Sequence, residues 1–427
     1  MRILQVNKFL YRRGGAESYL LDLVELQLRS GHEVALFGMD HPENPPQRYQ
    51  AHLPRLVQLE PPPRGVAARA AVVARMVWST SSRRGIEAVV RSFQPDVVHL
   101  HNIYHHLSPS ILRPLAERGI PTVMTLHDYK LACPSYQFMD HGKVCEACLD
   151  GHFRHAVQRR CKDGSLGAST VLALESALHR AFGAYDSIGV FISPSRFLAD
   201  RMAKAGVHPH RMHVLNNFVH ARAVTPKRSP GGNVAFAGRL SYEKGVDVLI
   251  EAVSRLGPGV ELDIAGDGPE RSGLEALAAA RAPGRVRFHG RLPKERALDL
   301  VRSAAVLALP SRWYENQPMV VLEAFACGVP VVTSDLGGLP ELVDPGHDGL
   351  VVPANDPEAL AGALAHVVED PDRGFAMGQA ARAKALEGFT AERHLERLEA
   401  LYRKAAKGLR GQPHRGSRRA GPVSRPS

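Results

Sequence analysis

The sequence predicts an α/β protein built from two Rossmann-like, doubly wound domains that face each other across a cleft. Three observations carry this. Strand-length apolar runs alternate with helix-length amphipathic stretches along most of the chain. The alternation slackens once, after residue 215, and then restarts. The chain has 427 residues, long for one domain and comfortable for two. Alternation of this kind makes a parallel sheet with helices on both faces.

Taken in order, RILQV is an apolar run of strand length, followed by a loop holding Gly14 and Gly15. AESYLLDLVELQLRSGHEVALF then reads as helix, Gly31 stop and strand, with Leu20, Leu21, Val24 and Leu28 on one apolar face. DVVHLH after Pro95, PTVMTLH and SIGVFIS supply further strands. The polar LNNFVHARAVTPKRSPGG, rich in Pro and Gly, reads as a linker over 216–232, which bounds a first domain at 1–215. A second domain over 233–388 repeats the pattern: NVAFAG strand, DVLIEAV helix, ELDIAG strand, LEALAAA helix, RVRFHG strand, KERALDLVRSA helix, AVLALP strand. Two helical stretches close the chain, and the last, over 389–407, has no strand after it and is expected to pack back on the first domain. In sheets of this kind ligands sit at the carboxyl ends of the strands, so the cleft between the domains is the expected site.

Composition is that of an ordinary soluble globular protein, with 44% hydrophobic and 23% charged residues. No run of about 18 apolar residues is present, so no spanning helix is expected. The start, MRILQVNKFL, lacks the apolar core and cleavage site of a signal peptide, and a cytoplasmic protein is expected. The net charge is +11, and six Lys or Arg with no acid fall between Lys407 and Ser427. That Gly/Pro/Arg-rich tail, 408–427, has almost nothing to bury and reads as disordered. Such a tail suits anionic lipid or nucleic acid, but composition favours a solvated tail, and a nucleic-acid partner is not expected.

Two loops of the second domain carry anion-binding chemistry. In AGRLSYEKG, Arg239 and Lys244 flank the start of a helix, whose N-terminus already attracts anions. Arg239 can make a bidentate contact and Lys244 supplies a point charge, enough to neutralise about two phosphate charges; two solvated surface cations are the alternative. In IAGDGPE, Gly266 and Gly268 permit a sharp turn, and Pro269 suits the first turn of a helix. SRWYENQPMVVLEAFACGVPVV places Glu315 in a strand-to-helix loop and Glu323 inside the helix that begins near Pro318. Fully helical, those eight steps would span about 12 Å, the order of the reach from sugar to ribose in a folded nucleotide-sugar. Two carboxylates flanking VVL in an otherwise apolar segment do not read as surface residues.

Together AGRLSYEKG, IAGDGPE, the Glu-x7-Glu of YENQPMVVLEAFACGVPVV and the following GGLPE resemble the retaining glycosyltransferases of family 4, which have the GT-B fold. GGAE after the first strand is similar to the family's glycine loop, and LHD at 126–128 to its first-domain histidine motif. The resemblance runs from about residue 1 to 405. It implies a nucleoside-diphosphate sugar as donor, a hydroxyl acceptor on the first domain, and catalysis without a metal cofactor. Carried over by residue, Arg239 and Lys244 would hold the diphosphate and Glu323 the ribose. Glu315 would contact the transferred sugar, with backbone amides from Asn316, Gln317, Pro318, Met319 and Val320 around sugar and phosphate. Gly14 and Gly15 would bring the first domain's backbone against the donor, Gly266 and Gly268 would line its loop, and Arg291 and Leu292 would lie near the base. His127 would sit at the reacting sugar. Many relatives carry Phe-Gly where this chain has Asn316-Gln317, which leaves the transferred sugar open. An epimerase of GT-B fold and a non-catalytic sugar-nucleotide binder are the alternatives.

Three further segments ask for a reading. HLHNIYHH gives His99, His101, His105 and His106 at a strand end; without an acid or Cys beside them, an acceptor-side loop is expected rather than a metal site. Cys133, Cys145, Cys148 and Cys161 fall in a polar insertion over 128–168, with Cys327 far away in the second domain. Four thiolates could enclose a structural zinc, which a reducing compartment favours over disulfides; unlinked thiols are the third reading. RGVAARAAVVARMVWSTSSRRG (64–85) is basic and apolar in helical rhythm. It reads as a helix packed on the sheet, or as one resting on an anionic membrane from the inner face, in which case the acceptor is lipid-linked.

Overall fold

The computed structural model describes residues 1–57 and 65–410. The first domain runs through β1 (Arg2–Val6), β2 (Glu33–Phe37), β3 (Val97–Leu100) and β4 (Thr122–Thr125), then a small antiparallel hairpin of β5 (Met139–Asp140) and β6 (Lys143–Val144), then β7 (Val190–Ser193) and β8 (Met212–Val214). Its main sheet has the order β2-β1-β3-β4-β7-β8. The second domain runs through β9 (Val234–Ala237), β10 (Leu262–Ala265), β11 (Val286–Gly290), β12 (Val306–Leu309), β13 (Val331–Ser334) and β14 (Gly349–Val352). Its order is β11-β10-β9-β12-β13-β14. Both sheets are parallel throughout: Leu4 lies opposite Ala35 and Val98, and Val234 opposite Leu262 and Val306.

The strands form where Val, Ile and Leu run together, because a parallel sheet covered on both sides needs apolar residues on both faces. VVHL, TVMT, VLAL and VVTS are buried along their whole length. The edge strand VRFHG instead alternates half-buried and exposed positions. Helix ends follow local chemistry. Ser195 caps the helix Arg196–Lys204 by accepting from the Leu198 N–H, and Asp356 caps Pro357–Val368. Gly328, at φ 72°, ends the helix Met319–Cys327 in the left-handed conformation.

Three helices close the chain rather than two: Pro357–Val368, Pro371–Gly388 and Ala391–Arg410. Asp370 separates the first pair by capping the second helix through the Arg373 N–H. The last helix crosses to the first domain, where Leu395, Leu398, Tyr402 and Ala405 pack with Ile3, Tyr19, Val97 and Val190. It continues through Gly408 to Arg410, and the remainder of the basic tail lies outside the described residues. The 64–85 stretch is two helices, Val66–Val77 and Thr80–Phe93, because Ser79 caps the second by accepting from the Ser82 N–H. Ile86, Val89, Val90 and Phe93 anchor that second helix in the core, whereas the first buries Met76 and leaves Val66 86% exposed. Among the described residues no helix is long and apolar enough to cross a membrane.

Candidate active site

Each sheet reverses its strand order beside its first strand, so a crevice opens between the carboxyl ends of β1 and β3 and another between those of β9 and β12. Loops from these ends meet across the domains. Asn316 Nδ2 donates to the His127 carbonyl at 2.8 Å, and the Tyr129 hydroxyl donates to the Tyr314 carbonyl at 3.2 Å.

Lys244 closes the short turn Tyr242–Lys244 after β9. Its Nζ donates to Glu315 Oε1 at 2.6 Å and lies 5.2 Å above the Trp313 ring. Burial alone would raise the Glu315 pKa, but Lys244 and the Ser311 hydroxyl, which donates at 2.7 Å, hold it below the usual carboxylate range. Glu315 is therefore an anion ready to accept from hydroxyls. Arg239 is exposed at the crevice rim and has no side-chain partner among the described residues. Glu323 differs from Glu315. Its carboxyl has no hydrogen-bond partner among the described residues, and burial raises its pKa against the opposing pull of Lys294.

Glycines set the backbone behind these groups. A Cβ on Gly266, at φ 147°, would stand 1.8 Å from the Gly238 carbonyl oxygen, and one on Gly268 would stand 2.2 Å from that of Leu240. These two glycines thus weld the loops after β9 and β10 together, which places Arg239 and Lys244. The GGLPE pair does the same for the acid: a Cβ on Gly337 would lie 2.3 Å from the Glu315 carbonyl oxygen, and one on Gly338 1.9 Å from that of Asn316. Packing does not require Gly15, since a Cβ there would meet nothing within 4 Å. Gly14 is the N-cap of the helix Gly15–Arg29 and no side chain caps it, so the first amides stay free. Pro318 is likewise an N-cap without a side-chain bond, leaving the amides of Met319 and Val320 available.

His127 follows β4 and is tied into a buried chain of polar groups. Its Nε2 lies 2.9 Å from His101 Nδ1, and His101 Nε2 lies 2.8 Å from Gln5 Oε1. Gln5 Nε2 donates to Gln27 Oε1 at 2.9 Å, and Gln27 Nε2 donates to the Tyr402 hydroxyl oxygen at 3.0 Å. With Gln5 Oε1 as acceptor, His101 carries its proton on Nε2. His101 Nδ1 then accepts from His127 Nε2–H, and His127 Nδ1 remains an acceptor. Burial, with Lys8 nearby, lowers the His127 pKa to about 3, so the ring is neutral near pH 7.

Some residues stand elsewhere than the sequence reading put them. The HLHNIYHH segment is no open loop: His99, His101, His105 and His106 are all buried. His99 bonds to Tyr402 at 2.8 Å and Thr125 at 2.7 Å because its strand is central in the sheet, and His105, in the turn beyond that strand, bonds to Glu175 at 3.0 Å. The Gln317 side chain faces the linker, with its Oε1 accepting from the Asn217 backbone N–H at 2.5 Å. Arg291 reaches the first domain, donating to the Arg12 carbonyl at 3.0 Å, with Leu292 half-buried beside it. Two cross-domain contacts had no signal in the sequence. Asp22 accepts from Arg12 at 2.5 Å and from Lys294 at 2.7 Å. Glu341 accepts from the Arg196 and Phe197 amides at 2.8 and 2.5 Å.

Cys133, Cys145, Cys148 and Cys161 line one small cavity in the insertion, and no disulfide joins them in this structure. Burial and the neighbouring thiols push Cys148 up to about 12 and Cys161 up to about 11. Elsewhere Asp344, His347 and Asp348 lie together, but Lys384 Nζ sits 2.9 Å from Asp344 and 2.6 Å from Asp348 and already supplies the cation.

Residues 13–222 match the family model described as Glycosyltransferase Family 4, and residues 220–384 the model described as Glycosyl transferases group 1. D-inositol 3-phosphate glycosyltransferase 1 of Catenulispora acidiphila is 30% identical over 352 residues, 74% of this chain and 74% of that protein. The chain belongs to glycosyltransferase family 4. The α-maltose-1-phosphate synthase of Mycolicibacterium smegmatis is 34% identical over 227 residues, 46% of this chain and 58% of that protein. D-inositol 3-phosphate glycosyltransferase of Corynebacterium jeikeium is 37% identical over 196 residues, 43% of this chain and 45% of that protein. The chain thus spans about half the length of these two relatives. The family's two-domain GT-B fold is matched by sucrose-phosphate synthase from Thermosynechococcus elongatus, with TM-score 0.70 and 20% identity over 94% of this chain and 98% of that one. Anabaena HepE in complex with UDP-glucose gives TM-score 0.62 and 21% identity over 94% and 100%. His127 lies within the first of the two matched stretches and the Lys244–Glu315 pair within the second.

Proposed function

We propose that the chain is a retaining hexosyltransferase that moves a sugar from a nucleoside-diphosphate sugar to a hydroxyl acceptor, in the synthesis of a polysaccharide, glycolipid or other glycoconjugate. The observation that carries the reading is the Lys244–Glu315 pair at 2.6 Å on the carboxyl side of the second sheet, held against His127 by Asn316. Lys244 and the partnerless Arg239 receive the diphosphate, and the free amides at Met319 and Val320 assist. Glu315 and the acceptor nitrogen of His127 accept hydrogen bonds from hydroxyls of the sugar, from opposite walls of the cleft. Glu323 accepts from the ribose hydroxyls, which gives its carboxyl the partners it lacks.

In the reaction the acceptor oxygen bonds to the anomeric carbon while the bond from that carbon to the diphosphate oxygen breaks. The electron pair leaves with the diphosphate, and the acceptor's proton passes to it. Lys244 and Arg239 stabilise the charge that builds there, the part a metal ion plays in other transferases. Because attack and departure share one face, no protein nucleophile is needed.

HepE was solved with UDP-glucose, so UDP-sugars head the donor panel. The test follows nucleoside diphosphate release with and without hydroxyl acceptors, lipid-linked ones included, using Lys244→Ala as the negative. Acceptor-dependent release supports transfer. Conversion of the donor sugar without acceptor points to an epimerase, and binding without turnover to a non-catalytic relative. A lipid-linked acceptor is supported by the first-domain helix Val66–Val77, which leaves Val66 and, at its end, Trp78 exposed beside arginines. Sedimentation with anionic but not neutral vesicles tests that part; equal recovery with both removes it.

A further inference from the structure

The insertion that holds four of the five cysteines has too little apolar material to fix its own shape. Its own cluster has three buried residues, Cys148, Phe153 and Ala156, joined by Ala173 of the following helix, while its first part is anchored elsewhere, with Tyr129, Ala132, Cys133 and Phe138 in the first domain's core. Yet its backbone is tightly specified. Of ten non-glycine residues with positive φ among the described residues, five fall here: Tyr136 (58°), Phe138 (48°), His141 (46°), Arg160 (50°) and Asp163 (52°). Such conformations persist only where the surroundings over-determine them.

We infer that Cys133, Cys145, Cys148 and Cys161 form a structural zinc site that holds the insertion in the shape in which it docks on the Glu315 loop. The four residues line a single cavity of about 10 Å³, room for one small ion and no organic ligand. The spacing, one C-x2-C knuckle between two outlying cysteines, suits tetrahedral thiolate coordination. Arg159 Nη1 stands 3.7 Å from the Cys145 sulfur and 3.0 Å from Asp140 Oδ2, the position of an outer cation that offsets thiolate charge and orients a ligand. No three of the sulfurs lie within 4.8 Å of one another, so binding draws them inward.

The docking gives the site its consequence. Glu146, between the knuckle cysteines, accepts from the Tyr314 hydroxyl at 2.9 Å and pairs with Arg201 at 2.8 Å. Gly142, in the hairpin turn, packs on Tyr242: a Cβ there would lie 2.7 Å from the Tyr242 hydroxyl. Tyr314 precedes Glu315 and Tyr242 opens the turn that ends in Lys244, so the insertion braces both members of the ion pair from the first domain. A metal that fixes the insertion thereby fixes the cleft.

The test uses the full chain purified without chelator. Elemental analysis is expected to find one zinc per chain. Cobalt(II) exchanged into the site should give the thiolate charge-transfer and intense visible bands of tetrahedral sulfur coordination. Cys148→Ser should lose the metal and Cys327→Ser should keep it. Stripping zinc from the wild type should open the 133–161 segment to limited proteolysis, and adding zinc back should close it. Should Cys148→Ser fail to fold, zinc content and the cobalt spectrum of the wild type still decide. Absence of zinc together with no thiolate–cobalt bands overturns the inference, as does a disulfide among these cysteines in freshly purified protein. None of these measurements depends on turnover, so they stand apart from the proposed sugar transfer.

Discussion

His101 holds His127 through a 2.9 Å contact between ring nitrogens, and Gln5 on the neighbouring strand sets which of those nitrogens carries the proton. The catalytic-side histidine is therefore oriented by residues that never reach the cleft. His101→Phe keeps the ring volume and removes the acceptor, leaving the His127 N–H unpaired in a buried site. The cost of such a group is about 1–3 kcal/mol of folding stability, and a His127 ring no longer held in one tautomer and orientation should also lose kcat/KM. Steady-state kinetics, with circular dichroism as the folding check, should show that loss. A variant with native spectrum and native kcat/KM would mean that the tautomer of His127 does not matter.

Lys244 and Glu315 make a pair whose removal is asymmetric. Lys244→Ala strands an enclosed carboxylate and takes away one of the two cations meant for the diphosphate. Activity should fall by about 100- to 1,000-fold, the range for a lost charge-stabilising donor, and the midpoint of thermal unfolding should fall with it. Adding Glu315→Gln removes the stranded charge, so the double variant should regain thermal stability and no activity. Recovery of turnover along with stability would show that the pair serves the fold alone.

Much of this was legible in the sequence, and the limits have a physical pattern. The two sheets were readable because parallel strands covered on both sides must be continuous apolar runs, as in VLAL and VVTS. The loops bearing Arg239, Lys244 and Glu315 were readable because they follow such strands directly. The roles of Gly337 and Gly338 were not, since what they avoid is the carbonyl of a loop more than twenty residues away. Asp22 and Lys294 meet across 272 positions of chain, and nothing local marks either one. The histidines of HLHNIYHH misled for a related reason. Polar residues at a strand end suggest a loop, but here His99 and His101 are satisfied inside by a network reaching the C-terminal helix and His105 by Glu175.

Acid should weaken the fold well before carboxylates titrate. Burial lowers the pKa of His127 and His106 to about 3 and of His105 and His394 to about 4, from an ordinary 6.5. The folded state refuses protons that the unfolded chain binds, so the stability these groups confer is complete above pH 6.5 and is lost as pH falls toward their folded values. Each contributes a slope of up to about 1.4 kcal/mol per pH unit in that window. Thermal unfolding followed from neutral pH downward should show a steep decline beginning near the histidine range. A melting temperature that stays level until the carboxylate range would rule out this cause.

Glu323 should prove a residue kept at the expense of stability. Its carboxyl, on a half-buried position of the helix Met319–Cys327, has no protein partner among the described residues, and burial raises its pKa. For an acid raised in this way the penalty is absent below the unfolded pKa, grows between the unfolded and folded values, and is complete above the folded one. Glu323→Gln keeps the shape and removes the charge. Gains from relieving such a site are roughly 0.5–2 kcal/mol, and the variant should melt at a higher temperature at neutral pH with the advantage shrinking in acid. The same change weakens the acceptor offered to a ribose, and a hydrogen bond to a charged group is worth about 1.5–3 kcal/mol. Nucleoside diphosphate affinity by calorimetry should therefore fall by roughly 10- to 100-fold while Lys244 and Arg239 remain in place. A variant that melts no higher than the parent and binds the nucleotide equally well would place Glu323 outside the site.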